Sequence, residues 1–166
     1  MTSMSTSTPM IEPLVSIDRL QTHFFTDEGV VKAVEDVSLV IPRGKTLGLV
    51  GESGCGKSVT ALSVIGLISS PGRIVGGQIT LDDNGKPVVL NRLPEPEMRN
   101  IRGGRIAMIF QEPMSSLNPV FTIGNQIIEA VRLHRDVGRG EARQLSLSVL
   151  KKVKIPAPEQ RLTEYP

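Results

Sequence analysis

The feature that most restricts what this chain can fold into is an eight-residue segment fitting the pattern G-x-x-x-x-G-K-[ST] at every fixed position. It consists of Gly51, Glu52, Ser53, Gly54, Cys55, Gly56, Lys57 and Ser58. Residues 46–50 before it are short and apolar, as in a buried parallel strand. Residues 59–68 after it predict a helix. The inward face of that helix is predicted to consist of Ala61, Leu62, Ile65 and Ile68. A strand, a glycine loop and a helix in this order favour a phosphate-binding loop over a chance glycine turn.

The residue types in this segment suit a phosphate ligand. Its three glycines allow a tight turn and a close approach of the backbone, because no Cβ stands in the way. Successive N–H groups then point inward, and the start of the helix adds the positive end of its dipole. Lys57 is expected to reach the β- and γ-phosphates, and the Ser58 hydroxyl is expected to coordinate Mg²⁺. All eight residues are therefore assigned to a phosphate cradle.

Composition limits the remaining classes of function. Nineteen Lys and Arg against seventeen Asp and Glu give a net charge of +2, which is too balanced to indicate a nucleic-acid partner. A single cysteine, Cys55, allows no internal disulfide and fits a reducing compartment. No run reaches the roughly 18 apolar residues of a membrane span, so any membrane role would be peripheral. Residues 1–13 are rich in Ser and Thr, and they predict a disordered lead-in rather than a secretory signal.

Hydrophobic periodicity predicts the other elements. Residues 14–25, where the alternation is uneven, predict a first strand, followed by strands over 30–34 and 37–41. The pair Asn84-Gly85 predicts a hairpin between residues 78–81 and 87–90. A further buried strand is predicted over 105–110, and helices over 94–101, 123–134 and 141–153. The inward positions predicted for the last two helices are Ile123, Ile127, Ala130, Val131 and His134, and Leu145, Val149 and Val153.

Several stretches together resemble the ATP-binding subunits of ABC transporters. Residues 22–39 are similar to the first strands of that family, residues 51–58 to its Walker A loop, and residues 72–79 to the start of its antiparallel hairpin. Residues 109–119 read IFQEPMSSLNP and resemble the Q-loop of one branch, the dipeptide, oligopeptide and nickel importers. The resemblance covers about residues 15–166. It implies an α/β fold: a P-loop NTPase core with an ABC-type antiparallel β subdomain and the start of a helical subdomain.

The resemblance also assigns roles by position. Phe24 matches the aromatic residue that stacks on adenine, with Phe25 as the alternative if the register differs. Gln111 matches the glutamine that contacts Mg²⁺ and the attacking water, and its loop senses the membrane subunit. The implied organisation is a lead-in over 1–13, a nucleotide-binding core over 14–111, and the Q-loop with a partial helical subdomain over 112–166. The implied cofactors are ATP and Mg²⁺.

The sequence departs from the family pattern mainly in the residues needed for ATP hydrolysis. An LSGGQ-like signature is expected directly after Tyr165-Pro166, and neither it nor the Walker B aspartate, the catalytic glutamate or the switch histidine is found. Lys154 also stands where the family usually has glycine. The chain is therefore expected to be an N-terminal portion, truncated before the signature, that contains no catalytic residue of its own.

The resemblance and the missing motifs leave two possible functions. The first is an ATPase subunit of a peptide or nickel importer at the cytoplasmic face of the cell membrane. It would pair head to tail with a second ATP-binding subunit, dock on transmembrane permease subunits, and work indirectly with a substrate-binding protein. The alternative is a nucleotide-binding or interaction module without hydrolysis. A GTPase or a small-molecule kinase is disfavoured, because the sequence has no base-reading or acceptor motif.

Overall fold

The computed structural model describes residues 12–110 and 116–166 of this α/β chain. They fall into two compact units, the first ending at Arg105 and the second beginning at Ile106. Most of the lead-in predicted over 1–13 lies outside the described residues, and the first strand already begins at Pro13. The predicted domain limits of 13 and 111 stay predictions.

Among the described residues of the first unit, four antiparallel strands form one sheet. They are β1 (Pro13–Thr26), β2 (Gly29–Pro42), β3 (Gly72–Asp83) and β4 (Lys86–Val89), in the order β2-β1-β3-β4. The predicted hairpin is confirmed, because Asn84 and Gly85 both have positive φ angles, 54° and 82°, as a two-residue turn requires. The two strands predicted over 30–34 and 37–41 are one continuous strand, β2.

A β-bulge explains the uneven alternation of apolar residues in β1. Ile17 and Leu20 are both buried, although they are three positions apart rather than two. Between them Arg19 adopts a left-handed φ of 45°, and the pairing register with both neighbouring strands shifts at this point. On β3, a Cβ added at Gly77 would lie 2.3 Å from the Arg19 carbonyl oxygen. The bulge therefore depends on a glycine in the neighbouring strand.

Within residues 12–110 and 116–166, five α-helices follow or interrupt the sheet. They are α1 (Lys57–Val64), α2 (Glu95–Ile101), α3 (Ile123–His134), α4 (Arg139–Lys152) and α5 (Pro158–Arg161). A 3₁₀ turn, Leu90–Arg92, precedes α2. The bounds predicted for α3 are confirmed, and those predicted for α2 and α4 agree to within two residues. No helix in the described ranges is long and apolar enough to cross a membrane.

Arg102 ties the end of α1 to α2. Its Nε donates to the Ile65 carbonyl at 2.7 Å and its Nη2 to the Gly66 carbonyl at 2.8 Å, directly after the last residue of α1. Its Nη1 donates to the Glu95 carboxylate at 2.7 Å, and this hydrogen bond holds the pKa of Glu95 below its usual value. A guanidinium at this position also complements the negative end of the α1 dipole.

The predicted inward face of α1 is partly wrong. Ala61 is exposed, and the residues of α1 that are buried are Thr60 and Ser63. Both polar side chains are tolerated there because each hydroxyl donates to a carbonyl four residues earlier, Thr60 to Gly56 at 3.0 Å and Ser63 to Val59 at 2.8 Å. The helix ends at Val64, so Ile65 and Ile68 lie beyond it, although Ile65 is buried as predicted.

The strands predicted over 46–50 and 105–110 are also wrong for this structure. Residues 46–50 and 107–110 join no ladder among the described residues, and all of them are exposed except Met108, which is half-buried. Val50 is 93% exposed and Ile109 is 91% exposed. A parallel strand exists only between paired neighbours, so an apolar run alone does not form one.

In α4 the buried face is not the predicted one. Val149 and Val153 are half exposed or more, at 50% and 62%, whereas Ala142, Ser146 and Leu147 are buried. Small residues let α4 pack closely, and the Ser146 hydroxyl donates to the Ala142 carbonyl at 2.8 Å.

In α3, similarly, Ala130 and His134 are exposed, and the helix buries Gly124 instead. A glycine allows the backbone of another segment to approach closely, which hydrophobic periodicity does not reveal.

We predict that a buried hydroxyl pair couples α1 to the sheet. Thr22 Oγ1 and Ser63 Oγ lie 2.9 Å apart, and both residues are almost completely buried. The Ser63 hydroxyl donates its hydrogen bond to the Val59 carbonyl oxygen. In the pair, Thr22 is therefore the donor and Ser63 the acceptor. Ser63→Ala leaves the Thr22 hydroxyl unpaired and is expected to cost about 1–3 kcal/mol of unfolding free energy.

The double variant Thr22→Val with Ser63→Ala removes both polar groups, so it is expected to be more stable than Ser63→Ala alone. Urea unfolding of the parent, Ser63→Ala, Thr22→Val and the double variant measures these differences. A double variant that loses the sum of the two single losses would show that the pair does not act as proposed.

Candidate functional site

The glycine loop leads into α1 and lies against the backbone of β2. Gly56 is the residue before the helix, with a left-handed φ of 90°. A Cβ added there would lie 2.3 Å from the Ala33 carbonyl oxygen on β2. Gly54 also has a left-handed φ, 84°, but a Cβ there would meet open space. Gly56 is thus required both by its backbone angle and by the close contact that fixes where α1 begins.

Lys57 bends back over this loop. Its Nζ donates to the carbonyl oxygens of Gly51 at 2.8 Å and Glu52 at 2.6 Å, and lies 3.4 Å from the Cys55 Sγ. The ammonium is therefore held at the centre of the loop by groups that the loop itself supplies. Three donors on a flexible stem can exchange such carbonyl partners for phosphate oxygens without a change in the backbone.

The rest of the loop is open to solvent. Residues 51–55 and Ser58 are exposed, and Gly56 and Lys57 are half-buried. Within the part of the chain that the structure describes, no side chain caps the first turn of α1 and no acidic residue lies in it. Backbone N–H groups at the start of a helix, beside a fixed ammonium, form an environment suited to an anion.

Cys55 occupies the space that a side chain at residue 51 would need. A Cβ added at Gly51 would lie 2.6 Å from the Cys55 Sγ. The thiol is free and exposed. Because Cys55 sits inside the predicted cradle and beside Lys57, its accessibility reports on whatever fills the loop.

Phe24, the residue expected to stack on adenine, lies half-buried in β1 opposite Gly72 of β3. A Cβ added at Gly72 would lie 2.6 Å from the Phe24 ring and 2.8 Å from Ile68, so the ring covers the bare glycine backbone. The alternative, Phe25, is stacked by Arg73, whose guanidinium carbon lies 4.1 Å from the ring centre. Each ring thus already has a partner within its own chain.

A charged cluster lies near Phe25, and the spacing of its residues along the sequence did not predict it. His23 Nε2 and the Glu35 carboxylate lie 2.9 Å apart, and Lys32 lies 3.4 Å from the same oxygen. The hydrogen bond with His23 holds the pKa of Glu35 below its usual value, and Lys32 adds to this effect. His23 pairs with Lys32 across the β1–β2 hairpin, so only the strand register brings these groups together.

Gln111 lies outside the described residues, which resume at residue 116 within the second unit. There the surface of α3 carries a groove of about 520 Å³ that continues beside Arg132 and Arg139. Among its lining residues, Phe121 is 52% exposed and Leu133 is 72% exposed. Large apolar side chains exposed beside charged ones are typical of a surface that binds a partner.

Among the described residues no three His, Cys, Asp or Glu side chains are grouped so that they could hold a metal ion. A metal at the glycine loop would therefore depend on the Ser58 hydroxyl together with oxygens from a bound phosphate and from water.

Known proteins match this chain over most of its length. The family model for ABC transporters matches residues 34–166. DppD, the dipeptide transport ATP-binding protein of Escherichia coli, is 42% identical over 153 residues, which cover 92% of this chain and 46% of DppD. AppD, the oligopeptide transport ATP-binding protein of Bacillus subtilis, is 44% identical over 154 residues, with the same shares, 92% and 46%. The chain thus spans about half the length of the curated relatives it matches.

A solved structure agrees on the fold. The ATP-binding cassette MJ0796, in a dimeric post-hydrolysis state bound to ADP and Pi, superposes with a TM-score of 0.75. The match covers 92% of this chain and 61% of MJ0796 at 21% sequence identity, so it shows the fold alone. Together these matches confirm the resemblance and the fold class inferred from the sequence.

We predict that Gly56 tolerates alanine less well than Gly54 does. Both substitutions place a side chain in left-handed backbone, which costs about 1–2 kcal/mol. Only Gly56→Ala also drives a Cβ into the Ala33 carbonyl oxygen, so its loss of unfolding free energy is expected to be the larger one. Urea unfolding of both variants measures this, and equal losses would remove the claim that the loop is seated on β2.

Proposed function

This chain belongs to the ABC transporter family, and we propose from that premise that it forms the nucleotide-binding portion of an ATP-binding subunit of a peptide or nickel importer. The observation that carries the proposal is the position of Lys57. Its ammonium is fixed over an open glycine loop at the start of α1, where N–H groups and the helix dipole also favour an anion.

The proposed ligand is ATP with Mg²⁺. The phosphates occupy the loop from Gly51 to Ser58, where Lys57 exchanges the Gly51 and Glu52 carbonyls for β- and γ-phosphate oxygens. The Ser58 hydroxyl and Gln111 contribute to the Mg²⁺ site, and Phe24 stacks on the adenine. The metal would neutralise charge on the phosphates during transfer. The assignments of Lys57 and the loop rest on the loop geometry and the family pattern, whereas those of Phe24 and Gln111 rest on the match of these residues to the family pattern.

Hydrolysis is proposed for the whole protein rather than for these residues alone. In-line attack of water on the γ-phosphate needs positioning and charge stabilisation, and Lys57 and the loop N–H groups provide both for the phosphates. No residue of this chain is assigned as the general base. The relatives are about twice as long, and the remaining catalytic groups are expected in that additional length.

The proposed partners divide between the two units. A second ATP-binding subunit would face the glycine loop, head to tail. The groove along α3 would receive a cytoplasmic segment of the transmembrane permease, and the protein would then be a peripheral subunit at the inner face of the cell membrane. A substrate-binding protein would act only through that permease. The exposed side chains of Phe121 and Leu133 support the docking surface.

Lys57→Ala is expected to weaken ATP binding at least tenfold. Each charge-assisted contact of the ammonium with phosphate contributes about 1.5–3 kcal/mol, and alanine removes all of them. Titration with a fluorescent ATP analogue measures the two affinities. Equal affinities would remove the assignment of the loop to phosphate binding.

The Cys55 thiol provides an independent readout of the same variant. A maleimide is expected to modify Cys55 readily in the parent chain, because the thiol is exposed, and Mg-ATP is expected to slow the reaction by covering the loop. A labelling time course by mass spectrometry compares the parent with Lys57→Ala. If ATP protects both proteins equally, the protection does not come from this loop.

The groove is tested by Leu133→Asp in the full-length subunit. Burying a leucine side chain contributes about 1.5–3 kcal/mol, so a charge at this position is expected to reduce association with permease-containing membrane vesicles at least tenfold. Val149→Asp is the matched control, because Val149 is also an exposed apolar residue, at 50%, but lies on α4 and outside the lining of the groove. If both variants bind as well as the parent, the permease does not dock in this groove.

A further inference from the structure

Two segments far apart in sequence are hydrogen-bonded to the beginning of α3. One is the segment over residues 118–121, which leads into the helix. The other is the segment over residues 162–164, which follows α5. Each is held by its own group on α3, Gln126 for the first and the N–H groups of Ile123 and Gly124 for the second.

The Gln126 side chain closes the first segment onto the helix. Its Oε1 accepts from the Asn118 N–H at 2.8 Å, and its Nε2 donates to the carbonyls of Asn118 at 2.9 Å and Phe121 at 3.0 Å. Within the segment, the Asn118 side chain accepts from the Val120 N–H at 3.1 Å. Three bonds from one amide to backbone groups fix both the position and the direction of this segment.

The second segment lies across the first turn of α3. The Ile123 N–H donates to the Glu164 carbonyl at 2.9 Å, and the Gly124 N–H donates to the Leu162 carbonyl at 2.9 Å. Gly124 is buried, and a Cβ added there would lie 2.3 Å from the Leu162 carbonyl oxygen. The carbonyls of this segment therefore take N–H groups that a helix would otherwise leave unpaired. The missing side chain of Gly124 allows that approach.

We propose that the first turns of α3 are a conformational junction that fixes residues 118–121 and residues 162–164 to each other, with Gln126 and Gly124 as positioning residues. Only Thr122 separates the first segment from Ile123, and Thr122 itself caps the helix by accepting from the Asn125 N–H at 3.3 Å. A displacement of either segment therefore changes the direction of the first turn, and the other segment must follow it.

The junction would connect a docked partner to the end of this chain. Asn118, Phe121 and Gln126 line the groove along α3. A ligand bound in the groove would therefore contact residues 118–121 and, through the junction, would displace residues 162–164. This use of the junction rests on the proposed function of the groove, whereas the junction itself rests only on the hydrogen bonds within the second unit.

Amide hydrogen exchange tests the junction with two variants and their matched controls. Gln126→Leu removes the clamp on the first segment, and Gly124→Ala forces the second segment away. Gln144→Leu makes the first substitution at an exposed position of α4. Gly140→Ala makes the second in the first turn of α4, where a Cβ meets open space. Exchange is followed by mass spectrometry in the 166-residue chain, with Mg-ATP affinity measured in parallel.

Coupling predicts responses in both directions. Gln126→Leu is expected to raise exchange at least tenfold in residues 118–121 and also at the amides of Ile123 and Gly124. Gly124→Ala is expected to raise it in residues 118–121 as well. Gln126→Glu keeps the acceptor for Asn118 but loses the donor, so it is expected to give an intermediate rise. The controls are expected to leave all these amides unchanged.

Three results would overturn the junction. The first is a response confined to the segment that each variant touches. The second is a uniform rise throughout α4, which would mean loss of the whole unit. The third is no response to Gln126→Leu. None of these depends on nucleotide binding, so failure of the junction is distinguishable from failure of the proposed function, which the Lys57→Ala titration reports.

Discussion

The contact between Gly56 and the Ala33 carbonyl is the constraint on which the candidate site depends. It seats the end of the glycine loop on β2 and starts α1 at Lys57, and this start fixes where the lysine side chain and the first N–H groups of the helix can point. Farther along the same helix, Thr22 and Ser63 join α1 to β1, and Arg102 binds the two carbonyls that directly follow α1, those of Ile65 and Gly66. The helix is thus fixed at its start, along its length and at its end. A phosphate site needs such a rigid cradle, because donors that are already positioned cost no reorganisation when the ligand arrives.

The second unit uses close backbone approach in a similar way. Gly124 lets a carbonyl of residues 162–164 reach the first turn of α3, just as Gly56 lets the loop reach β2. In both units a glycine permits two backbones to meet, and hydrogen bonds or a helix start then fix the geometry. Gln126 adds a side-chain clamp that fixes the neighbouring segment. The features proposed to bind ligands, the glycine loop and the groove along α3, are both built next to one of these contacts.

The exposed stretches over 46–50 and 107–110 show that a local apolar pattern alone does not predict a strand. Their composition is that of buried strands, but a strand gains its backbone hydrogen bonds only from neighbours, and the described residues provide none for them. The strands of the antiparallel sheet do find neighbours, because each hairpin is closed by a two-residue turn. These turns are Asp27-Glu28 and Asn84-Gly85, and both consist of residues that are compatible with a turn. Turn chemistry is local, whereas parallel pairing is not. The local prediction therefore succeeded for the hairpin at Asn84-Gly85 and failed for the parallel strands.

The sequence by itself determined the glycine loop, the hairpin at Asn84-Gly85 and the bounds of α3, because glycine spacing, turn residues and helical period are local properties. It also determined the family, through motifs that a short segment contains in full. Only the tertiary structure decided which faces are buried, since Thr60, Ser63 and Ser146 satisfy their hydroxyls on carbonyls of their own helix and then pack inward. It likewise decided the bulge at Arg19, the pairing of His23 with Glu35 and the clamp at Gln126. Each of these depends on register or on the approach of two distant backbones, and no pattern within one segment specifies that approach.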